Sequence, residues 1–300
     1  RFGIENVSYI RNSTKLADVF SVTDLSGSME DCAEYNNSYT CTYTCNGGIY
    51  KNCKVTTSSQ CTGNVCGGSC TNPHGHSTSH DCNRTKIDFA KLADNDFIDS
   101  VLNSSGNRVG LVGYSTSALE SDYHQLSNNK VSLKAEVNSW VANGGTCICC
   151  GINKALNKTL VESSSDKFRS IVIMSDGMPT YYCNNLNDFV GSGTRGDSSG
   201  STSNTLDKQW AINASCNAWK NYGVKVYAVG FGSDVDENTT SKIALCTGGN
   251  YYYSSVNELG DKFRKFYGAS FKRVKRIPWS EKRFPATPGD PSGFESFVNE

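Results

Sequence analysis

The chain has 300 residues with 29 basic and 29 acidic side chains, so its formal net charge is zero. That balance argues against bulk electrostatic binding to nucleic acid or to an anionic membrane surface. The longest apolar runs, such as VKVYAVGF (224–231), are strand-sized, so nothing in the sequence reads as a membrane span.

In chain order, strand and helix signals alternate. Residues 1–16 form a flanking segment in which FGIENVSYI (2–10) alternates enough for a strand. ADVFSVTD (17–24), rich in β-branched and aromatic residues and ending at a turn, predicts a buried strand. Residues 32–82 break the pattern, with eight cysteines, four tyrosines and only Ala33, Ile49, Val55 and Val65 as other aliphatic residues. Such a segment buries little apolar surface, so cross-links must take the place of packing. A helix is predicted over 84–102, with Ile87, Ala90, Phe97, Ile98, Val101 and Leu102 on one face. The strand RVGLVGYS (108–115) follows, then a helix over 147–162 built on Ile152, Ala155, Leu156 and Leu160. Next come the strand FRSIVIMSD (168–176), a helix over 205–222 with Leu206, Trp210, Ala214 and Trp219, and the strand VKVYAVGFG (224–232). A helix at 237–246, a short strand NYYYSS (250–255) and a helix at about 256–269 complete the alternation. The C-terminal flank, 270–300, carries SFKRVKRIPW (270–279) and four of the six prolines. Its first part is a candidate to pair with residues 2–10 as a small sheet, and a route for self-assembly. The expected fold is α/β: a Rossmann-like, mostly parallel sheet flanked by helices, with a disulfide-rich insert and a small β addition from the two termini.

The cysteine count is 14 and even: Cys32, Cys41, Cys45, Cys53, Cys61, Cys66, Cys70 and Cys82 in the insert, then Cys147, Cys149, Cys150, Cys183, Cys216 and Cys246. This usage suggests up to seven disulfides formed in an oxidising compartment. Eight Asn-X-Ser/Thr triplets agree with a glycosylated surface protein: Asn6, Asn12, Asn36, Asn83, Asn103, Asn157, Asn213 and Asn238. The sequence opens at Arg1 without a leader and reads as a mature or excised ectodomain, extracellular or on the cell surface.

In a doubly wound sheet, ligands bind beyond the carboxyl ends of the strands. Asp24 and Asp176 end two predicted strands, Ser26 and Ser28 follow the first, and GGT (144–146) enters a helix. Asp24, Ser26, Ser28, Thr146 and Asp176 make an all-oxygen set suited to a small hard cation: Mg²⁺, with Mn²⁺ or Ca²⁺ as alternatives. Hydroxyls ligate an ion without neutralising it fully, and an open position on that ion attracts an external carboxylate.

DLSGS (24–28), GGT (144–146) and SDG (175–177) resemble, in order and spacing, the metal-ion-dependent adhesion site of von Willebrand factor A domains. VGYS (112–115) and GGNYYYSS (248–255) add to the likeness, which runs from about 16 to 269 and is interrupted by 32–82. The domain is accordingly placed at 17–269. The resemblance implies that Ser26, Ser28 and Thr146 ligate the ion directly, and that Asp24 and Asp176 act directly or through water. It also implies a partner whose Asp or Glu completes the shell. The insert departs from the family pattern and, leaving from the site loop, should stand beside or over the metal.

CGGSC (66–70) with His74, His76 and His80 has spacing for zinc, but the surrounding cysteines favour disulfides. A bridge from Cys147, Cys149 or Cys150 to Cys183 would tie two site loops, and Cys216 and Cys246 are candidates to pair. RGD (195–197) sits in a Gly/Ser-rich loop where such triplets arise by composition, and His124 lacks the surroundings of an acyl-transfer site. The expected function is a non-enzymatic, metal-dependent adhesion or ligand-binding module whose partner is a protein or glycan offering a carboxylate. The alternative is a structural subunit of a surface filament, pilus or surface layer.

Overall fold

This computed structural model describes residues 16–47, 52–57, 71–185, 191–196, 206–255 and 259. The end strands expected in the two flanks lie outside the described residues, as does all of the expected last helix except Leu259, which is buried. The elements, in order, are β1 (Ala17–Asp24), β2 (Cys32–Gly47), β3 (Asn52–Thr57), β4 (Thr71–Thr85), α1 (Lys86–Val101), β5 (Arg108–Tyr114), β6 (Tyr123–Ser127), α2 (Lys130–Ser139) and α3 (Ile148–Glu162). They continue as β7 (Phe168–Ser175), β8 (Tyr181–Tyr182), β9 (Thr194–Arg195), α4 (Leu206–Tyr222), β10 (Lys225–Phe231), α5 (Glu237–Leu245) and β11 (Tyr251–Ser254).

The main sheet has the order β11-β10-β7-β1-β5-β6. All its pairings are parallel except β5 with β6. β1 lies in the middle, and every one of its residues is buried. Because successive side chains point to opposite faces, each central strand serves two cores. Val19, Leu111, Val172 and Val229 pack under α1 and α2 with Phe97, Ile98, Leu133 and Trp140. Phe20, Val22, Val112, Ile173 and Val226 pack under α3, α4 and α5 with Ile152, Leu156, Ala214 and Ile243. Among the described residues, no helix is long and apolar enough to cross a membrane.

Residues expected to rely on cross-links alone form a second sheet, with β2 between β3 and β4 and both pairings antiparallel. Its inner strand is rich in Thr and Tyr, which favour extended backbone without needing a deep core. The sheet joins the domain at a narrow base where Cys32 pairs with Thr85 and is disulfide-bonded to Cys82. The sequence also gives no sign of β6 and α2. β6 is a polar edge strand, and α2 buries only Leu133 and Val137.

On the α1 side of β1 two hydroxyls replace apolar residues. Ser21 Oγ and Thr23 Oγ1 donate to the two oxygens of Asp94, at 2.5 Å and 2.7 Å, and tie α1 to the sheet. Burial pushes the Asp94 carboxyl up to about 6, against these two hydrogen bonds, which act to lower it. A carboxyl raised in the folded state from 3.8 contributes stability that is full below its unfolded value and is lost as pH rises through the folded one. Asp94→Asn, which has no proton to lose, should therefore remove a fall in stability between pH 3.8 and about 6. It should be the more stable protein by about 1–2 kcal/mol near neutral pH. Urea unfolding of parent and variant across that range measures the difference.

Candidate functional site

The carboxyl ends of β1, β5 and β7 meet at one edge of the sheet. Asp24 ends β1, paired with Tyr114 at the end of β5, and Asp176 lies one residue past β7. Both carboxylates are fully buried. Asp24 Oδ1 accepts the Ser26 N–H at 2.9 Å, and Oδ2 accepts the Ser175 hydroxyl at 2.7 Å and the Tyr114 hydroxyl at 3.3 Å. The Ser26 and Ser28 hydroxyls are hydrogen-bonded at 3.1 Å, and Ser28 Oγ donates to Asp176 Oδ1 at 2.9 Å. Four of the five sequence-derived ligands thus form one connected group: Asp24, Ser26, Ser28 and Asp176.

Thr146 arrives on a neighbouring loop. The Gly27 N–H donates to the Gly144 carbonyl at 2.9 Å, and Asn143 N–H donates to the Leu25 carbonyl at 2.7 Å, so this loop is laced to the serine turn. Gly144 has φ +85°, and a Cβ there would come within 2.7 Å of Thr116 Oγ1, so only glycine suits the position. Thr146, itself buried, donates its N–H to Thr180 Oγ1 at 2.9 Å, and its carbonyl accepts the Thr180 and Tyr181 N–H groups at 2.9 and 3.1 Å. The loop after Asp176 therefore holds the loop that carries Thr146.

The pair of carboxylates is electrostatically loaded. Burial, and then the charge of Asp176, push the Asp24 carboxyl up to about 7 despite the hydrogen bonds from Ser175 and Ser26. Two close carboxylates with the Ser26 and Ser28 hydroxyls are an oxygen-only donor set, and a hard divalent cation would relieve the repulsion that raises Asp24. On that chemistry the residues fit a bound cation.

A residue that the sequence does not single out completes the group. Lys86, the first residue of α1, donates to Asp176 Oδ2 at 2.8 Å and to Asp31 Oδ2 at 3.2 Å, and lies 3.5 Å from Asp234 Oδ2. Its side chain is 7% exposed. Asp31 and Lys86 are separated by the whole insert, and no short-range spacing signals their contact.

Four of the six cysteines outside the insert cluster next to Thr146, and the other two pair between α4 and the end of α5. Cys147 is bonded to Cys150, Cys149 to Cys183, and Cys216 to Cys246. The sulfurs of Cys147, Cys149, Cys150 and Cys183 all lie within 4.8 Å of one another, and all four residues are buried. Cys149–Cys183 joins the helix after Thr146 to the loop after Asp176. Cys41 is also disulfide-bonded. The side chains of Cys45 and Cys53, and the whole of Cys61, Cys66 and Cys70, lie outside the described residues, as do the side chains of His74 and His76.

His80 is sandwiched between Tyr35 and Tyr39, with ring centroids at 4.6 and 4.4 Å. His124 sits on β6, its Nδ1 2.8 Å from the Gln125 carbonyl oxygen. Arg195 and Gly196 of the RGD triplet are described, and Asp197 is not. Of the sequon asparagines, Asn83, Asn103 and Asn238 are exposed and Asn36, Asn157 and Asn213 partly so, while Asn6 and Asn12 lie outside the described residues.

The family model of the von Willebrand factor type A domain matches residues 78–265. The matched range starts near the end of the insert, past β1 and the serine turn. No curated protein matches the sequence. Among solved structures, the PilB minor pilin from Streptococcus sanguinis is similar at TM-score 0.56 and 17% identity, over 86% of this chain and 62% of that one. The vWF domain of the type V pili tip protein Mfa5 from Porphyromonas gingivalis is similar at TM-score 0.53 and 15% identity, over 88% and 99%. A von Willebrand factor type A protein from Catenulispora acidiphila is similar at TM-score 0.51 and 17% identity, and this chain spans 43% of its length. At such identities the likeness is one of fold.

Replacing Cys149 and Cys183 together by Ser opens a loop of 34 residues and unties the two site loops. The expected loss is about 3 kcal/mol of stability, read as a lower urea midpoint. An unchanged midpoint would mean that packing alone holds the two loops.

Proposed function

This chain belongs to the von Willebrand factor type A domain family, and we propose that it is a metal-dependent adhesion or ligand-binding module. Asp24, Ser26, Ser28, Thr146 and Asp176 would hold a divalent cation, for which Mg²⁺ is the best match to the oxygen donors and Mn²⁺ or Ca²⁺ are alternatives. The ion would supply a Lewis-acid position for an acidic group of a protein or glycan partner. The chain's own residues set that position: the serine turn is fixed by the Ser26 N–H on Asp24, and the Thr146 loop is fixed by Gly27 on Gly144. The observation that carries this reading is the continuous hydrogen-bonded group from Asp24 through Ser26 and Ser28 to Asp176. Binding is non-covalent and involves no turnover. Disulfides and exposed sequons support an extracellular or cell-surface setting.

A second reading is a structural subunit of a filament, pilus or surface layer, with the same site at a subunit contact or an exposed tip. It draws on the pilus proteins among the fold neighbours.

Calorimetric titration of chelator-stripped, non-reduced protein with Mg²⁺ tests the first reading. Saturable binding is expected in the parent, weakened at least about tenfold in Thr146→Ala; no binding in the parent would overturn it. Attachment to a ligand-bearing surface should likewise require the cation and disappear in Asp24→Ala. Polymerisation that depends on the flanks and not on the cation would favour the filament subunit.

Binding should also release a proton. Asp24 holds one below about pH 7 in the ion-free protein, and a cation displaces it. Apparent Mg²⁺ affinity should fall as pH drops from about 8 to about 6, and the heat of binding should depend on the buffer's ionisation enthalpy. A heat independent of buffer at about pH 6 would mean that Asp24 is already ionised there.

A further inference from the structure

Lys86 stands where a protein built only to bind a divalent ion would not place an ammonium. Three loops converge on it: Asp176 after β7, Asp31 after the serine turn, and Asp234 after β10. Its side chain is 7% exposed and Asp176 is fully buried, whereas Asp31 and Asp234 are 60% and 66% exposed. The strongest of these pairings is therefore the one facing the site, since water screens the outer two. Lys86 is also fixed through its backbone, its N–H donating to the Asp31 carbonyl at 3.0 Å. Ser28 takes one oxygen of Asp176 and Lys86 takes the other.

Charge counting gives the consequence. Two carboxylates match the formal charge of a divalent ion, so the pull on an external acid comes only from the ion's open position. With the ammonium hydrogen-bonded to Asp176, the buried groups alone carry one positive charge in excess, and the exposed Asp31 and Asp234 offset it only through the screening of water. We propose that Lys86 is a resident cation of the site: it offsets Asp176, weakens the hold on the divalent ion, and leaves the loaded ion with excess positive charge that selects an anionic partner group. The inference rests on the cation-binding reading above. It identifies acidic ligands as the preferred class for a reason internal to this chain. It also gives the ion-free protein a counter-ion for a buried carboxylate that would otherwise face Asp24 alone.

The test uses the full, non-reduced chain with Lys86→Gln and the charge-retaining Lys86→Arg. Removing the ammonium should tighten Mg²⁺ binding by about tenfold, while the arginine variant stays near the parent. On Mn²⁺-loaded protein, acetate serves as the acid probe, its displacement of metal-bound water being read from solvent proton relaxation. Lys86→Gln should need several-fold more acetate than the parent, and Lys86→Arg should not. Because Lys86 is buried, Asp234→Asn on the exposed loop provides a milder variant. Withdrawing that carboxylate from the ammonium should weaken Mg²⁺ binding by about twofold. Mg²⁺ and acetate binding unchanged in Lys86→Gln, or weakened equally in the glutamine and arginine variants, would overturn the inference and leave the cation site standing. A parent that binds no Mg²⁺ would instead overturn the site reading, and this inference with it.

Discussion

Two carboxylates are kept out of water at the carboxyl edge of the sheet, and the arrangement of the surrounding loops follows from satisfying them. An unpaired buried carboxylate costs several kcal/mol, and two close together repel as well. The fold meets that demand with donors drawn from separate segments. Ser26, Ser175 and Tyr114 serve Asp24; Ser28 and Lys86 serve Asp176. These donors come from the serine turn, β5, β7 and α1, so filling the acceptor positions sets where those four segments stand relative to β1. The Thr146 loop joins through the Gly27–Gly144 and Asn143–Leu25 backbone hydrogen bonds and through the Thr146 N–H on Thr180 Oγ1. The same donors would keep the edge ordered when no ion is bound.

Away from this edge the chain stabilises itself in two ways. The main sheet buries aliphatic side chains on both faces, the ordinary means for a parallel sheet. The insert has almost no aliphatic residues and relies on backbone ladders and cross-links instead. The two regimes meet at Asp31 to Cys32 and Cys82 to Lys86. There a disulfide, a ladder pairing and an ion pair lie within a few residues of one another. The base of the insert is thus physically continuous with the ammonium that contacts Asp176.

β7 was legible because burial on both faces leaves the uninterrupted apolar run IVIM, and β1 was legible from its β-branched and aromatic residues ending at a turn, although Ser21 and Thr23 break its apolar run. The helices were legible from their apolar faces, and α1, α3, α4 and α5 lie within two residues of the expected bounds. β6 was not, because an edge strand with polar residues carries no burial signal, and α2 rests on only two buried side chains. Residues 32–82 stood apart in the sequence by their cysteines, but their sheet was not legible, since alternation of Thr and Tyr without aliphatics suggests neither core nor helix. At the site, Asp24, Ser26, Ser28, Thr146 and Asp176 were read from motif order, which survives the interruption. Lys86 was not, because its partner Asp31 is 55 positions away and the contact exists only once the insert has folded back on itself.

The clasp at the root of the insert also has a mechanical meaning. Cys32 and Cys82 are 5.6 Å apart at Cα and covalently joined, so the insert enters and leaves the domain almost at a single point. A pull applied to the far end of β2–β4 could peel its ladder and lengthen the tether, yet the unravelling would stop at the Cys32–Cys82 disulfide, which carries the tension. From there it would pass into the start of α1 and the serine turn together, without prising β1 out of the sheet. A tether of fixed maximum length would then be anchored beside Lys86, and tension along it would be felt first by the residues that surround Asp176.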